Sequence, residues 1–145
     1  MNIYAVWKGD HRSVKDLLER IAKTTESDAN RSKLFDHLYH SLSAHSEAEE
    51  AVFYTPLRDH PEAHNLVLES FEEHAVVKTL LGELRALAEN DETWLPKLAV
   101  LKENVEHHVE EEEGRVFEQA RKIFSRTEAD QMGEQMRKEE DRLRV

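Results

Sequence analysis

Two segments of the chain carry the same pair of chemically capable residues at the same spacing. His45 precedes Glu49 by four residues in HSEAEEAVFY, and His108 precedes Glu112 by four in HVEEEEGRVF. On a helix that spacing puts both side chains on one face, aimed at one point. Both pairs also fall inside apolar stripes. Leu34, Leu38, Leu42, His45, Glu49 and Val52 recur at three and four residues, as do Leu98, Leu101, Val105, His108, Glu112 and Val116. Two further stripes carry one histidine each: Trp7, His11, Val14, Leu18 and Ile21, and Val67, Phe71, His74, Val77, Leu81 and Leu84. Such stripes mark the buried faces of helices. Four imidazoles and two carboxylates are therefore directed at a core. A buried ionised carboxylate is costly unless it is paired or coordinates a metal, and two in one seam repel each other. A metal centre satisfies all six, which makes His11, His45, Glu49, His74, His108 and Glu112 candidate ligands. Imidazoles and carboxylates suit first-row metals such as iron or manganese. Four nitrogens and two bridging carboxylates favour two ions roughly 3.5–4 Å apart. His11 and His45 would serve one, His74 and His108 the other, with Glu49 and Glu112 bridging.

These residues repeat in register. An offset of 63 residues relates His11 to His74, His45 to His108, and Glu49 to Glu112. It also relates Val14 to Val77, Leu17 to Leu80, Leu18 to Leu81, and Glu50 to Glu113. The pattern reads as a duplicated helical hairpin with pseudo-twofold symmetry. Glu50 and Glu113 become candidates to support the ligands from outside. His37, His40, His60, His64 and His107 lie off the seam or in a turn and read as surface.

The elements that must position this set are helices. The chain has 145 residues, 35% of them charged, with only four Gly and three Pro. That composition favours long helices in one all-α domain over residues 1–145. Turn signals at Gly9-Asp10, Thr24–Asn30, Pro56 to Pro61, Glu89–Thr93 and after Phe124 divide it. The expected helices run over about 10–24, 30–55, 61–89 and 92–124, followed by a short fifth over about 127–142 with Thr127 as its cap. Short links between long helices predict an up-down-up-down four-helix bundle over about 10–124. Asp91 is the expected cap of the fourth helix, and Pro56 is expected to end the second. Tyr4, seven residues before His11, is a candidate phenol near the centre, although Gly9 is expected to break the helix between them.

Composition excludes several functions. Without cysteine there are no disulfides, thiolate metal sites or cysteine nucleophiles. A net charge of −11 disfavours nucleic acid, whose binding depends on Lys and Arg neutralising phosphates. The N-terminal MNIYAVWKGDHRS lacks an apolar run of the length a signal peptide or membrane span needs, so a cytoplasmic location without membrane contact is expected. With no second domain expected, a signalling role would require a separate partner.

The order Asp10-His11, His45 to Glu50, Glu73-His74, and His108 to Glu113 resembles the hemerythrin-like HHE domain. The resemblance covers nearly the whole chain, and FSRTEADQMGEQM is similar to the family's C-terminal extension. It implies a four-helix bundle around a non-haem di-iron centre, oxo- or hydroxo-bridged, with manganese or zinc as substitutes. The ligand it implies is a small gas or peroxide: dioxygen, hydrogen peroxide or nitric oxide. One departure stands out. Oxygen-carrying hemerythrins have a further histidine four residues before the equivalent of His74, where this chain has Ser70. Three readings stay open on the sequence: a di-iron protein that binds or senses such ligands, a peroxide-consuming enzyme with catalase-like activity, and a metal-free helical interaction protein.

Overall fold

The structure is a computed structural model describing residues 1–25 and 28–144. The predicted turn from Thr24 to Asn30 includes residues 26 and 27, which lie outside the described residues. The chain is all-helical. Helix α1 is Ile3–Ala22, α3 is His64–Ala86 and α5 is Arg126–Arg144. Helices α2 and α4 each have three consecutive parts. In α2, Asn30–Glu49 passes through a π-helical stretch, Glu50–Tyr54, into Thr55–Arg58. In α4, Trp94–Glu111 passes through a second π stretch, Glu112–Val116, into Phe117–Ile123. Helices α1 to α4 form the expected bundle, and α5 packs across α1 and α2.

Several boundaries differ from the sequence reading; the fourth helix, for one, starts at Trp94 with Thr93 and not Asp91 at its cap position, and three others have a clear local reason. Helix α1 starts at Ile3, not near residue 10, because Asn2 accepts a hydrogen bond from Ala5 N–H (2.9 Å) and caps it. Gly9 sits inside the helix. Its cost of about 1 kcal/mol is outweighed by burial of Ile3, Tyr4, Val6 and Trp7 on the same helix. Pro56 does not end α2. The preceding π turn bonds Thr55 N–H to the Glu50 carbonyl, and Pro56 enters the first turn of the next segment, where its missing N–H costs little. The cap of α5 is Ser125, not Thr127. Ser125 Oγ accepts from Glu128 N–H (3.1 Å), and Glu128 Oε1 accepts from Ser125 N–H (2.8 Å), a reciprocal capping box.

Two apolar clusters bracket the middle of the bundle. One contains Trp7, Phe53, Tyr54, Leu57, Phe117 and Met136, and the other Leu18, Ile21, Leu38, Leu81, Trp94 and Leu101. The second is held at its loop end by buried Arg31. That side chain donates to the Thr24 hydroxyl and to the Thr24 and Glu89 carbonyls at 2.7–2.8 Å, and lies over the Trp94 ring. The first is closed by α5, which approaches the start of the chain so tightly that a Cβ on Gly133 would lie 2.1 Å from the Met1 carbonyl oxygen. Between the two clusters lie the histidines and glutamates.

Candidate metal centre

The six residues singled out by spacing come together. One atom each from His11, His45, Glu49 and Glu112 lies within 4.8 Å of the others, and the same holds for Glu49, His74, His108 and Glu112. The two glutamates belong to both groups, and each group takes its histidines from one hairpin. All six are buried, with Glu49 and Glu112 only 1% exposed.

Every histidine presents its two ring nitrogens to different surroundings. Each Nδ1 faces outward to a carboxylate: His11 to Glu113 (2.7 Å), His45 to Asp10 (3.0 Å), His74 to Glu50 (3.3 Å) and His108 to Glu73 (2.7 Å). A carboxylate accepting from Nδ1–H leaves the Nε2 lone pair directed inward, as metal-ligating histidines require. The outer acids obey the 63-residue offset, Asp10 with Glu73 and Glu50 with Glu113. His45 and His108 take an acid from their own hairpin, whereas His11 and His74 exchange acids across the dyad. Glu50 and Glu113 therefore stand behind two of the histidines. Asp10 and Glu73 do the same, and their place beside His11 and His74 in the sequence was the available signal.

The inward atoms mostly face one another, at 3.1–3.4 Å between imidazole nitrogens and carboxylate oxygens. Among the described residues, His11 Nε2, His45 Nε2, Glu49 Oε2 and Glu112 Oε1 are buried without a hydrogen bond. His74 Nε2 and His108 Nε2 face each other at 2.9 Å. Buried polar atoms are rarely left unmatched. Unmatched imidazole nitrogens and carboxylate oxygens converging on one space form a donor set that suits a metal ion.

Electrostatics point the same way. Burial and the adjacent Glu112 charge push the Glu49 carboxyl well above the usual carboxylate range. Burial works in the same direction on Glu112, but the charge on His108 and hydrogen bonds from Glu49 and His108 pull it well below. With protein groups alone, the pair thus holds one proton, as two adjacent carboxyls must. Burial opposes charge on His45 and His108 too, yet the surrounding acids raise them to about 9 and about 10. A cation can take the place of these protons.

Two further residues escaped the sequence reading. Tyr54 donates its O–H to Glu112 Oε2 (2.5 Å), with Ser70 close to the same hydroxyl. The π turn absorbs an extra residue, so Tyr54, five positions after Glu49, comes round to the centre. Stripes at three and four residues cannot count such a position. π turns of this kind are frequent at functional sites. Glu140, on α5, is 1% exposed and stands 3.7 Å from His45 Nδ1. Asp10, His45 and Glu140 form a third close group, which no local spacing signals. Tyr4 packs edge-on against Phe117 and beneath Arg121, and its hydroxyl is buried without a partner among the described residues. The phenol beside the glutamates is Tyr54. The five remaining histidines lie outside both groups.

Known proteins are similar to this chain. The chain is 28% identical over 131 residues to a DNA nickase of Nostoc sp., covering 90% of this chain and 37% of that protein. It is 26% identical over 111 residues to an uncharacterized hemerythrin-like protein of Schizosaccharomyces pombe, covering 75% of this chain and 54% of that protein. The chain thus spans roughly a third to a half of the curated relatives it matches. A crystal structure of a hemerythrin HHE cation binding domain-containing protein from Mycobacterium kansasii superposes with a TM-score of 0.89 at 25% identity, covering 99% of this chain and 88% of that one. The sequence profile of the hemerythrin HHE cation binding domain matches residues 2–120, which include all six converging residues and their four outer acids. The chain belongs to the hemerythrin family of HHE cation-binding domains.

Proposed function

We propose that this protein binds two iron ions through His11, His45, His74 and His108, with Glu49 and Glu112 shared between them, and uses them to bind dioxygen, peroxide or nitric oxide. The observation that carries this reading is the set of buried Nε2 and carboxylate atoms facing one space, four of them without a hydrogen bond among the described residues, while every Nδ1 is held by an acid. Iron supplies one-electron redox changes and open positions for small ligands. The protein supplies buried, pre-aligned imidazoles and a wall of valine and leucine that keeps the space dry. Elemental analysis of protein produced in iron-rich medium, with its optical spectrum, tests this. About two irons per chain is expected from a bridged pair, and a reproducible zinc-only or single-metal protein overturns it. A metal-free product with an unchanged melting temperature would favour the helical interaction reading instead.

One observation favours redox conversion of peroxide over reversible oxygen carriage. Ser70 stands where oxygen carriers of this family have a further histidine, and it is buried against Tyr54. Each ion would then have two histidines, so neither is singled out as the saturated partner. Oxygen evolution on adding hydrogen peroxide to the iron-loaded protein, above that of free iron, is the expected result. A long-lived oxygen adduct that reverses under vacuum, without peroxide consumption, would overturn it. No described helix is long and apolar enough to cross a membrane. The charge of −11 argues against carrying over the DNA chemistry named for the Nostoc relative.

A further inference from the structure

Two surface grooves reach toward the centre, and they meet it differently. One, of about 440 Å³, runs between α2 and α3. It shares Leu42, Ser46, His74 and Val77 with the cavity around the histidines. The other, of about 340 Å³, runs between α1 and α2 and shares only Val14 and His45 with that cavity. On this second flank the outer side of His45 is closed by Asp10 at 3.0 Å and Glu140 at 3.7 Å, with Arg137 reaching Asp10 at 3.4 Å. Helix α5 thus walls off the α1–α2 side and leaves the α2–α3 side uncovered. The acids behind the histidines follow suit: Glu50, behind His74, is 42% exposed, whereas Asp10, behind His45, is 12% exposed.

The doorway has one polar group besides the histidine. The wall over the centre pairs across the dyad as Val14 with Val77 and Leu42 with Val105, but Ser46 pairs with Val109. The Ser46 hydroxyl has no hydrogen-bond partner among the described residues. A free hydroxyl at the one break in an otherwise apolar wall is placed to hydrogen-bond something that passes or binds there. The cavity behind it, about 20 Å³, is the space between the six converging residues in which the proposed ions would sit.

From this geometry we infer that small neutral ligands reach the centre along the α2–α3 groove, meet the Ser46 hydroxyl at the doorway, and exchange at the His74 position rather than the His45 position. The inference rests on the iron reading above and adds which side of the centre is open and which residue greets the ligand.

The test uses nitric oxide with the full-length, iron-loaded, reduced protein. Stopped-flow spectroscopy gives its association and dissociation rates, and iron content and melting temperature are measured for every variant. Ser46→Phe should slow association at least tenfold. Ser13→Phe, in the α1–α2 groove, should leave it unchanged. Ser46→Val, which copies the dyad-related Val109, should leave association unchanged and speed dissociation by roughly three- to tenfold, the loss of one hydrogen bond. Ala75→Phe, further out in the α2–α3 groove, should slow association by itself and keeps the test open should Ser46→Phe not fold. Unchanged association in both α2–α3 variants, or equal slowing by Ser13→Phe, overturns the inference. Wild-type protein that takes up no iron instead overturns the iron reading on which it rests.

Discussion

The first hairpin, α1 with α2, and the second, α3 with α4, bring equivalent ligands to the centre but surround them differently. Trp7 in the first lies 5.9 Å from the His45 ring, and the position 63 residues on is Ser70. Tyr54 in the first hydrogen-bonds Glu112, and its counterpart is Phe117. His45 has two acids behind it, Asp10 and Glu140, whereas its mate His108 has Glu73 at 2.7 Å with Glu112 one turn on. The donor set keeps the pseudo-twofold symmetry of the repeat, as the proposed bridged pair of ions would require. The packing around it does not, because α5 covers only one flank. The two ion positions should therefore be alike in ligand type and unlike in access and electrostatics.

The largest effect should come from the residues the two halves share. Glu49→Ala or Glu112→Ala removes an oxygen from both positions and should abolish most iron binding, read by elemental analysis. Retention of both ions would show that the carboxylates do not bridge. Next come the halves themselves. His45→Ala and His108→Ala should each cost about one of the two ions, since each belongs to one ligand group, while His60→Ala and His64→Ala should cost none. Equal losses across all four variants would dissolve the comparison.

Removing iron should lower the melting temperature, because binding to a site present only in the fold stabilises the fold. The size of that drop should depend on pH. With protein groups alone His45 and His108 titrate at about 9 and about 10, above the unfolded value near 6.5. Their charged forms thus stabilise the ion-free fold fully below about pH 6.5, and that contribution fades as pH rises through about 9 to 10. The gap between loaded and ion-free melting temperatures should widen from pH 6.5 to 9.5, and loading at pH 7 should release protons. A pH-independent gap would break this link.

The asymmetric residues should give smaller effects. Glu140→Gln keeps Asp10 behind His45, whereas Glu73→Gln removes the acid at 2.7 Å from His108 Nδ1. Acids behind metal-bound histidines contribute about 10–100-fold in affinity, so Glu73→Gln should weaken iron binding by about that much and Glu140→Gln by less. The reverse order in a competition titration would show that α5 matters more than the local acid. Smallest of all, Tyr54→Phe, which copies Phe117, should leave iron content intact and shift the optical spectrum, with about 1 kcal/mol less stability from one lost hydrogen bond.

The sequence by itself determined the helical class, the seam and the six converging residues. Spacings of three and four are enforced by helix geometry, and buried His and Glu in an apolar stripe have few tolerable explanations. It also supplied Glu50 and Glu113, through the repeat, and held Asp10 and Glu73 in plain view beside His11 and His74. Tertiary structure decided the rest. Tyr54 reached the centre only because a π turn shifts the helix by one residue, a change that local periodicity does not encode. Helix α1 ran through Gly9 because Asn2 caps it and its first two turns find a cover in the aromatic cluster and α5. Glu140 became a neighbour of His45 from 95 residues away in the chain, through the docking of α5 on α1 and α2. Which flank of the centre is open followed from that docking too, since it depends on where a fifth helix lies and not on any residue the four-helix repeat contains.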